Sequence, residues 1–348
     1  MRKSSRKTLL WIAGIGGAIF FAVIVILFEL LFIDNVRNNP QQAYHEFFVH
    51  TGWNYQDVIN QLKRQKILLH TKTFEVVSAR MGYTEHVKAG RYLIQNGMGN
   101  LRMVQMLRMG SQTPVHIVIN NISSKTELAE KISAKLECSK EELLKEFNNP
   151  RLLDSLQLTE DNFPTLFLSN TYEFYWNTSA VQFVQRMLKE YNRFWTSNRK
   201  QQAQDLGLDP TSVTILASIV QKESNQYDEY PRIAGVYINR LQRGMALQAD
   251  PTVMYALNKL GIKRRVYKAD LQINSPYNTY LHTGLPPGPI CLPQLKSIDE
   301  VLNAEEHDYI YFCARDDFSG YHAFAVTWQE HLVNARNYQK ALNANHIR

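Results

Sequence analysis

Residues 217–241 read ASIVQKESNQYDEYPRIAGVYINRL, and they contain one side chain, Glu223, whose position calls for a chemical reason. Upstream, Asp209-Pro210 is a strong helix start: Asp caps free amides and Pro fits the first helical position. A helix continuing through TSVTILASIVQKES places Val220, Ile219, Leu216 and Ile215 on one face with Glu223, at i−3, i−4, i−7 and i−8. Glu223 thus lies on an apolar stripe, at the helix end where the macrodipole disfavours negative charge. Burial and dipole both favour the neutral carboxyl. General-acid cleavage of a glycosidic bond needs a carboxylic acid kept protonated near neutral pH. A Glu at this position could equally reach water or pair with an arginine, so spacing alone leaves both readings open.

Working outward, PRIAGVYINRLQRG predicts a second amphipathic helix with Ile233, Val236, Tyr237 and Leu241 inward, closed by Gly244. Asp250-Pro251 repeats the helix start. NSPYNTYLHTGLPPGPI then gives a long, proline-stiffened loop rich in Tyr, Asn and Thr. Such groups suit a sugar, through aromatic faces and polar side chains, and they are also ordinary turn chemistry. The stretch YIYFCARDDFSGYHAFAVTWQEH predicts a strand, a turn at 316–320, and a second strand carrying His322 and Phe324. On the amino-terminal side, NYQDVINQLKRQKIL predicts a helix, KAGRYLI a turn and strand, and Asn100 opens a helix with Leu101, Val104 and Leu107 inward, ending at Gly110. VHIVI reads as a strand. SSKTELAEKISAKL, SKEELLKEF and the segment from about Ser179 through LKEYNRFW read as helices.

The chain begins MRKSSRKTLLWIAGIGGAIFFAVIVILFELLF, with 20 uncharged residues from Leu9 to Phe28. That run can cross a hydrocarbon core of about 30 Å as a helix, and no small-x-small cleavage site marks it as a removable signal. Arg2, Lys3, Arg6 and Lys7 precede it, which predicts a cytoplasmic N-terminus and an exported remainder. The formal net charge is +7, and setting aside those four cations leaves +3. Together with the lack of a basic, aromatic-interleaved patch, this argues against nucleic-acid binding. Cys138, Cys291 and Cys313 are too few and scattered for a disulfide framework or metal site. Cys291 and Cys313 could pair, or all could be free buried thiols. His282, His307 and His331 lack ligand spacing, so neither metal nor other cofactor is expected. The expected organisation is a tail over 1–8, a membrane helix over 9–33, a polar linker over 34–43, a small α+β module over 44–112 and an α+β domain over 113–348.

The segments ASIVQKES, VYINRL, LQADPTVMYAL and SPYNTYLHTGLPPGPI resemble the catalytic core of the YceG-like endolytic murein transglycosylases. VKAGRYLI…GM is similar to that family's LysM-like module, and Gly-x-His-x-Phe at 320–324 to its terminal pattern. The resemblance covers nearly the whole exported chain. It implies internal cleavage of nascent peptidoglycan strands at MurNAc-GlcNAc bonds without water, leaving 1,6-anhydro-MurNAc ends. It also implies that Glu223 is the catalytic acid, with Gln221 standing where members often carry a second Glu. Sugar-binding groups are expected among Asn239, Gln248, Asp250, Tyr277 and Asn278, although Asp250 could simply cap its helix. In FPTLFLSNTYEF, Pro164-Thr165 and Ser169-Asn170 replace the family's Glu-Gly and Pro-Asp, which puts any contact made by that Glu in doubt. Cell-wall synthases are expected partners. Two other classes remain open: a non-catalytic peptidoglycan-binding scaffold, and a hydrolytic muramidase needing a second carboxylate, for which Asp228, Glu229 and Asp250 are nearest in sequence.

Overall fold

A computed structural model describes residues 2–345 apart from 263 and 265. The architecture mixes helices with short strands, and the chain forms two compact units. The first comprises Met1–Val115 with Glu173–Thr178, the second His116–Tyr172 with Ser179–Arg348.

The first unit opens with α1 (Arg2–Phe32). Within it Gly14–Phe32 is long and apolar enough to cross a membrane. After β1 (Tyr44–Val49) come α2 (Tyr55–Arg64) and α3 (Thr71–Arg80), then β2 (Gly90–Gln95) and α4 (Asn100–Met109). The two strands pair antiparallel, with Phe47 opposite Tyr92. Asn54 starts α2 by accepting from the amides of Gln56 and Asp57, while Asp57 bonds back to the Asn54 amide, so two free donors are satisfied reciprocally. Val58, Ile59 and Leu62 pack with Phe47, Phe74 and Met103 into one core, against which Leu30 and Leu31 of α1 also lie. On α4 the buried residues are Asn100, Met103, Val104 and Leu107, and Leu101 is only half-buried. In the segment over 34–43, read as a polar linker, Asp34 bridges to Gly99 and Val36 to Leu68. Asn35 is buried, because its short amide side chain finds partners that a passing linker would not offer.

The second unit contains β3 (Val115–Ile119) from His116 onward, α5 (Lys125–Ser133), α6 (Lys140–Phe147), α7 (Pro150–Leu156) and the 170–172 part of β4 (Asn170–Phe174). The two strands pair in a sheet of their own. Two more helices, α8 (Ala180–Phe194) and α9 (Ser197–Asp205), lead to α10 (Pro210–Glu223) and α11 (Tyr230–Gln242). Asp209 caps α10 by accepting from the Ser212 amide at 2.7 Å. Every residue from Val213 to Val220 is buried, so α10 is enclosed on all sides rather than on one stripe. Such a helix is a core element. Its neighbours are α11 and α13 (Leu295–Leu302), beyond the short α12 (Asp250–Ala256). Gly235 lets α11 approach the chain at 305–307, where an added Cβ would stand 2.4 Å from the Glu305 carbonyl oxygen. The hairpin of β5 (Tyr311–Ala314) and β6 (His322–Ala325) pairs Ala314 with His322. A long helix, α14 (Trp328–Ala344), follows directly. All three cysteines are free thiols, Cys138 and Cys291 buried and Cys313 half-buried.

Candidate active site

Glu223 is the last residue of α10 and half-buried in the wall of a cleft of about 410 Å³. The cleft walls come from α10, α11, the 247–250 turn, Tyr280, the β5–β6 hairpin and the start of α14. Tyr237, one helix away on α11, donates its hydroxyl to Glu223 Oε1. Burial pushes the Glu223 carboxyl up to about 7; the Tyr237 hydrogen bond opposes this, the Asp250 charge adds to it, and the Arg240 cation opposes it. Desolvation therefore dominates. Occupying Oε1 with a donor leaves Oε2 for the acid proton. Tyr237 is itself held well above its usual value, chiefly by burial and then by the neighbouring carboxyl, so it stays a donor.

Two further groups give the cleft its electrostatics. Arg240 is 7% exposed and is anchored through Nε to the Ile310 carbonyl at 2.6 Å and through Nη1 to the Leu247 carbonyl at 2.7 Å. Its position helps an ionised Glu223 survive in the cleft. Asp250 accepts from the Tyr280 hydroxyl at 2.6 Å. Its helix is capped by Ala249 backbone geometry, with no side-chain cap, so the capping role considered for Asp250 does not occur and its carboxylate faces the cleft instead. At the rim, His331 stacks on Tyr311 with ring centroids 5.3 Å apart. Its Nδ1 is buried without a partner among the described residues, and burial then the Arg240 charge lower its pKa.

The other expected sugar-binding residues scatter. Gln248 lines the cleft in the left-handed region, φ +50°. Asn239 instead donates to the His307 and Tyr309 carbonyls at 2.7 and 3.0 Å, holding the chain that leads into β5. Asn278 is fully buried and donates to the Leu271 and Ile273 carbonyls, both at 2.9 Å; it shapes the loop. Tyr277 lies in a separate cavity together with Pro164, the position where the sequence departs from the family pattern. Gln221 accepts from the Gln294 amide at 2.7 Å and the Ser297 hydroxyl at 2.8 Å, so it fixes the start of α13.

Of the alternative carboxylates, Glu229 is 4% exposed and fully engaged. It accepts from the His322 amide at 2.8 Å, contacts His322 Nδ1 at 2.9 Å, and accepts from Ser224. Asp228 accepts from the Tyr321 hydroxyl. Both latch the hairpin that forms one cleft wall, and His322 lines that wall. Phe312 of the same hairpin packs edge-on against Tyr237 at 5.8 Å. Sequence reasoning missed Tyr237 as a polar partner, along with Arg240, Tyr280 and His331. Tyr237 was legible only as an inward-facing position.

The chain is 28% identical over 309 residues to the endolytic murein transglycosylase of Bacillus subtilis (strain 168), covering 84% of each protein. It is 26% identical over 359 residues to the protein of the same name from Streptococcus pneumoniae, covering 94% of this chain and 63% of that one. The crystal structure of a YceG-like protein from Listeria monocytogenes is similar at a TM-score of 0.52 and 27% identity, over 83% of this chain and 99% of that one. The profile of the YceG-like family matches residues 47–337, and the chain belongs to that family.

Proposed function

We propose that this protein is a membrane-anchored endolytic lytic transglycosylase acting on peptidoglycan, with Glu223 as its general acid and then its general base. The observation that carries the reading is the half-buried Glu223 carboxyl, pushed up to about 7 and fixed by Tyr237 within a cleft. The names of the bacterial relatives support the substrate class.

The neutral carboxyl gives its proton to the glycosidic oxygen as the bond from that oxygen to the MurNAc C1 breaks. The C6 hydroxyl of the same sugar then bonds to C1, and its proton returns to the Glu223 carboxylate. Atoms balance without water, and one carboxyl group serves both steps, whereas hydrolases generally use two. Ring closure is intramolecular, so proximity lowers its barrier. A pKa near 7 suits both roles: desolvation favours the acid, while Tyr237 and Arg240 help the base form exist. Gln248, Asp250 and Tyr280 supply polar groups for the sugar. Asn239 and Asn278 act on substrate only by holding the loops around it.

In this reading α1 anchors the protein by a single span with its basic N-terminus in the cytoplasm, the exported part working on nascent strands beside cell-wall synthases. The small sheet and helices between residues 44 and 112 form a LysM-like glycan-binding module. A hydrolytic reading draws on Asp250, the second carboxylate of the cleft. Mass spectrometry of products from purified glycan strands separates these readings. Internal fragments with 1,6-anhydro ends, lost with Glu223→Gln, are expected. Reducing ends would transfer the reaction to water and Asp250, and binding without cleavage would leave a scaffold.

A further inference from the structure

A second cavity of about 240 Å³ lies in the same compact unit as the cleft, with Tyr255, Tyr277, Asp161, Ser123 and Thr126 in its walls. Two elements connect it to the cleft. α12 begins at the cleft with Asp250 and carries Tyr255 five residues later, about 7.5 Å along the axis and roughly 140° round it. In the following loop Tyr280 faces the cleft and Tyr277 the second cavity. Three extended residues span at most about 11 Å. The backbone positions of the two tyrosines, one at each cavity, therefore lie within about 11 Å of each other.

The chemistry of the cavity matches a sugar ring better than an ion. Tyr255 and Tyr277 stand with ring centroids 4.7 Å apart and planes at 48°, giving an aromatic corner. The Tyr277 hydroxyl donates to Asp161 Oδ1 at 3.4 Å, and burial holds that hydroxyl above its usual value. Asp161 is exposed, so its carboxylate can also accept from sugar hydroxyls, and Ser123 and Thr126 add hydroxyls of their own. The local cation, Lys125, is already engaged by Glu160 at 3.5 Å and by Asn148, and two carboxylates disfavour an anionic ligand. The corner is built by close approach: a Cβ on Gly288 would stand 2.1 Å from the Asp161 carbonyl oxygen and 2.8 Å from the Tyr277 hydroxyl.

We propose that this cavity is a remote sugar subsite, holding an N-acetylhexosamine of the same glycan strand that is cleaved at Glu223. The proposal rests on the glycan-cleavage reading and adds a second point of grip. A strand long enough to fill both places binds more tightly than one confined to the cleft, and cuts fall at a set distance from the residue held at Tyr277.

The test is calorimetric titration of the full-length Glu223→Gln protein in detergent with peptide-free chito-oligosaccharides of increasing length. Affinity is expected to rise by about tenfold, worth about 1.4 kcal/mol, once the oligomer spans both places. Thr126→Trp, which fills the cavity from its exposed rim, and Tyr277→Phe, which removes the hydroxyl bonded to Asp161 and Tyr255, should each reduce that gain while short oligomers bind as before. Unchanged melting temperatures exclude misfolding as the cause. Length-independent binding, or a gain that survives Thr126→Trp, overturns the subsite and leaves the cleavage reading intact. A gain that appears only with peptide-bearing strands reassigns the cavity to the peptide. Failure of every chito-oligosaccharide to bind overturns the subsite, while the cleavage reading stands or falls on the anhydro-ended products of peptidoglycan strands.

Discussion

The first unit and the cleft both bury polar side chains, and they treat them in opposite ways. In the first unit Asn35 donates to Asn100 Oδ1 at 2.6 Å and to the His70 carbonyl at 2.9 Å, and accepts from the His70 amide at 2.7 Å. Asn100 donates in turn to the Leu30 carbonyl at 2.9 Å and to the Thr73 hydroxyl at 3.1 Å. Neither side chain titrates and each has several partners, so the cluster costs little and ties the end of α1 to α3 and α4. In the cleft the half-buried group is ionisable and, among the described residues, has one hydrogen bond, from Tyr237, while His331 Nδ1 in the same cleft has none. The cluster is satisfied by the fold itself; the cleft leaves capacity for something else to satisfy. That difference marks the cleft as the place where chemistry can occur.

The comparison breaks most visibly at Glu223. Replacing it with Gln should reduce turnover on glycan strands by about 10²–10⁴-fold, the usual contribution of a general acid, when anhydro-sugar ends are quantified. A loss under tenfold would put the acid elsewhere. Asn100→Ala should destabilise the first unit by about 2 kcal/mol, because Asn35 loses a buried partner, as read by urea unfolding. The pH dependence of cleavage should not change. A third measurement follows the sign of the raised pKa. Between about 4.5 and 7 the folded protein keeps the Glu223 proton that the unfolded chain has lost, so wild-type stability falls as pH rises through that window. Glu223→Gln removes this term. The variant should match wild type near pH 4 and exceed it by about 3 kcal/mol at pH 8, seen as a pH-dependent gap in melting temperature. A constant gap would mean that the carboxyl is not desolvated. The smallest effect belongs to Tyr237→Phe. Losing a hydrogen bond that favours the ionised carboxylate should move the alkaline limb of the activity profile up by about one pH unit. An unmoved limb would show that Tyr237 only packs.

Much of this was legible residue by residue. Asp209-Pro210 marked the start of α10, the 3.6-residue spacing placed Glu223 with the apolar side chains, and the glycine-containing turn marked the β5–β6 hairpin. α14 went unread although Thr327 and Glu330 form a capping box at its start; the alternating residues before it continued a strand reading through the boundary. α3 is preceded by His70, whose side chain makes no cap, so it offered no such signal. Among the expected sugar-binding residues, chemical type was a poor guide. An amide suited to a sugar is equally suited to backbone carbonyls, and Asn239 and Asn278 found those nearby.

The sequence by itself determined the apolar N-terminal helix, the order of most helices and strands, and the presence of a carboxyl group on a buried helix face, because these depend on neighbours within a few positions along the chain. Only the tertiary structure decided which groups surround that carboxyl. Tyr237 meets Glu223 across 14 residues, Tyr280 meets Asp250 across 30, and Arg240 meets the Ile310 carbonyl across 70. No periodicity along the chain encodes those meetings. They arise when α10, α11 and the hairpin close on a common core, and that closure strips water from Glu223 and brings its pKa to about 7.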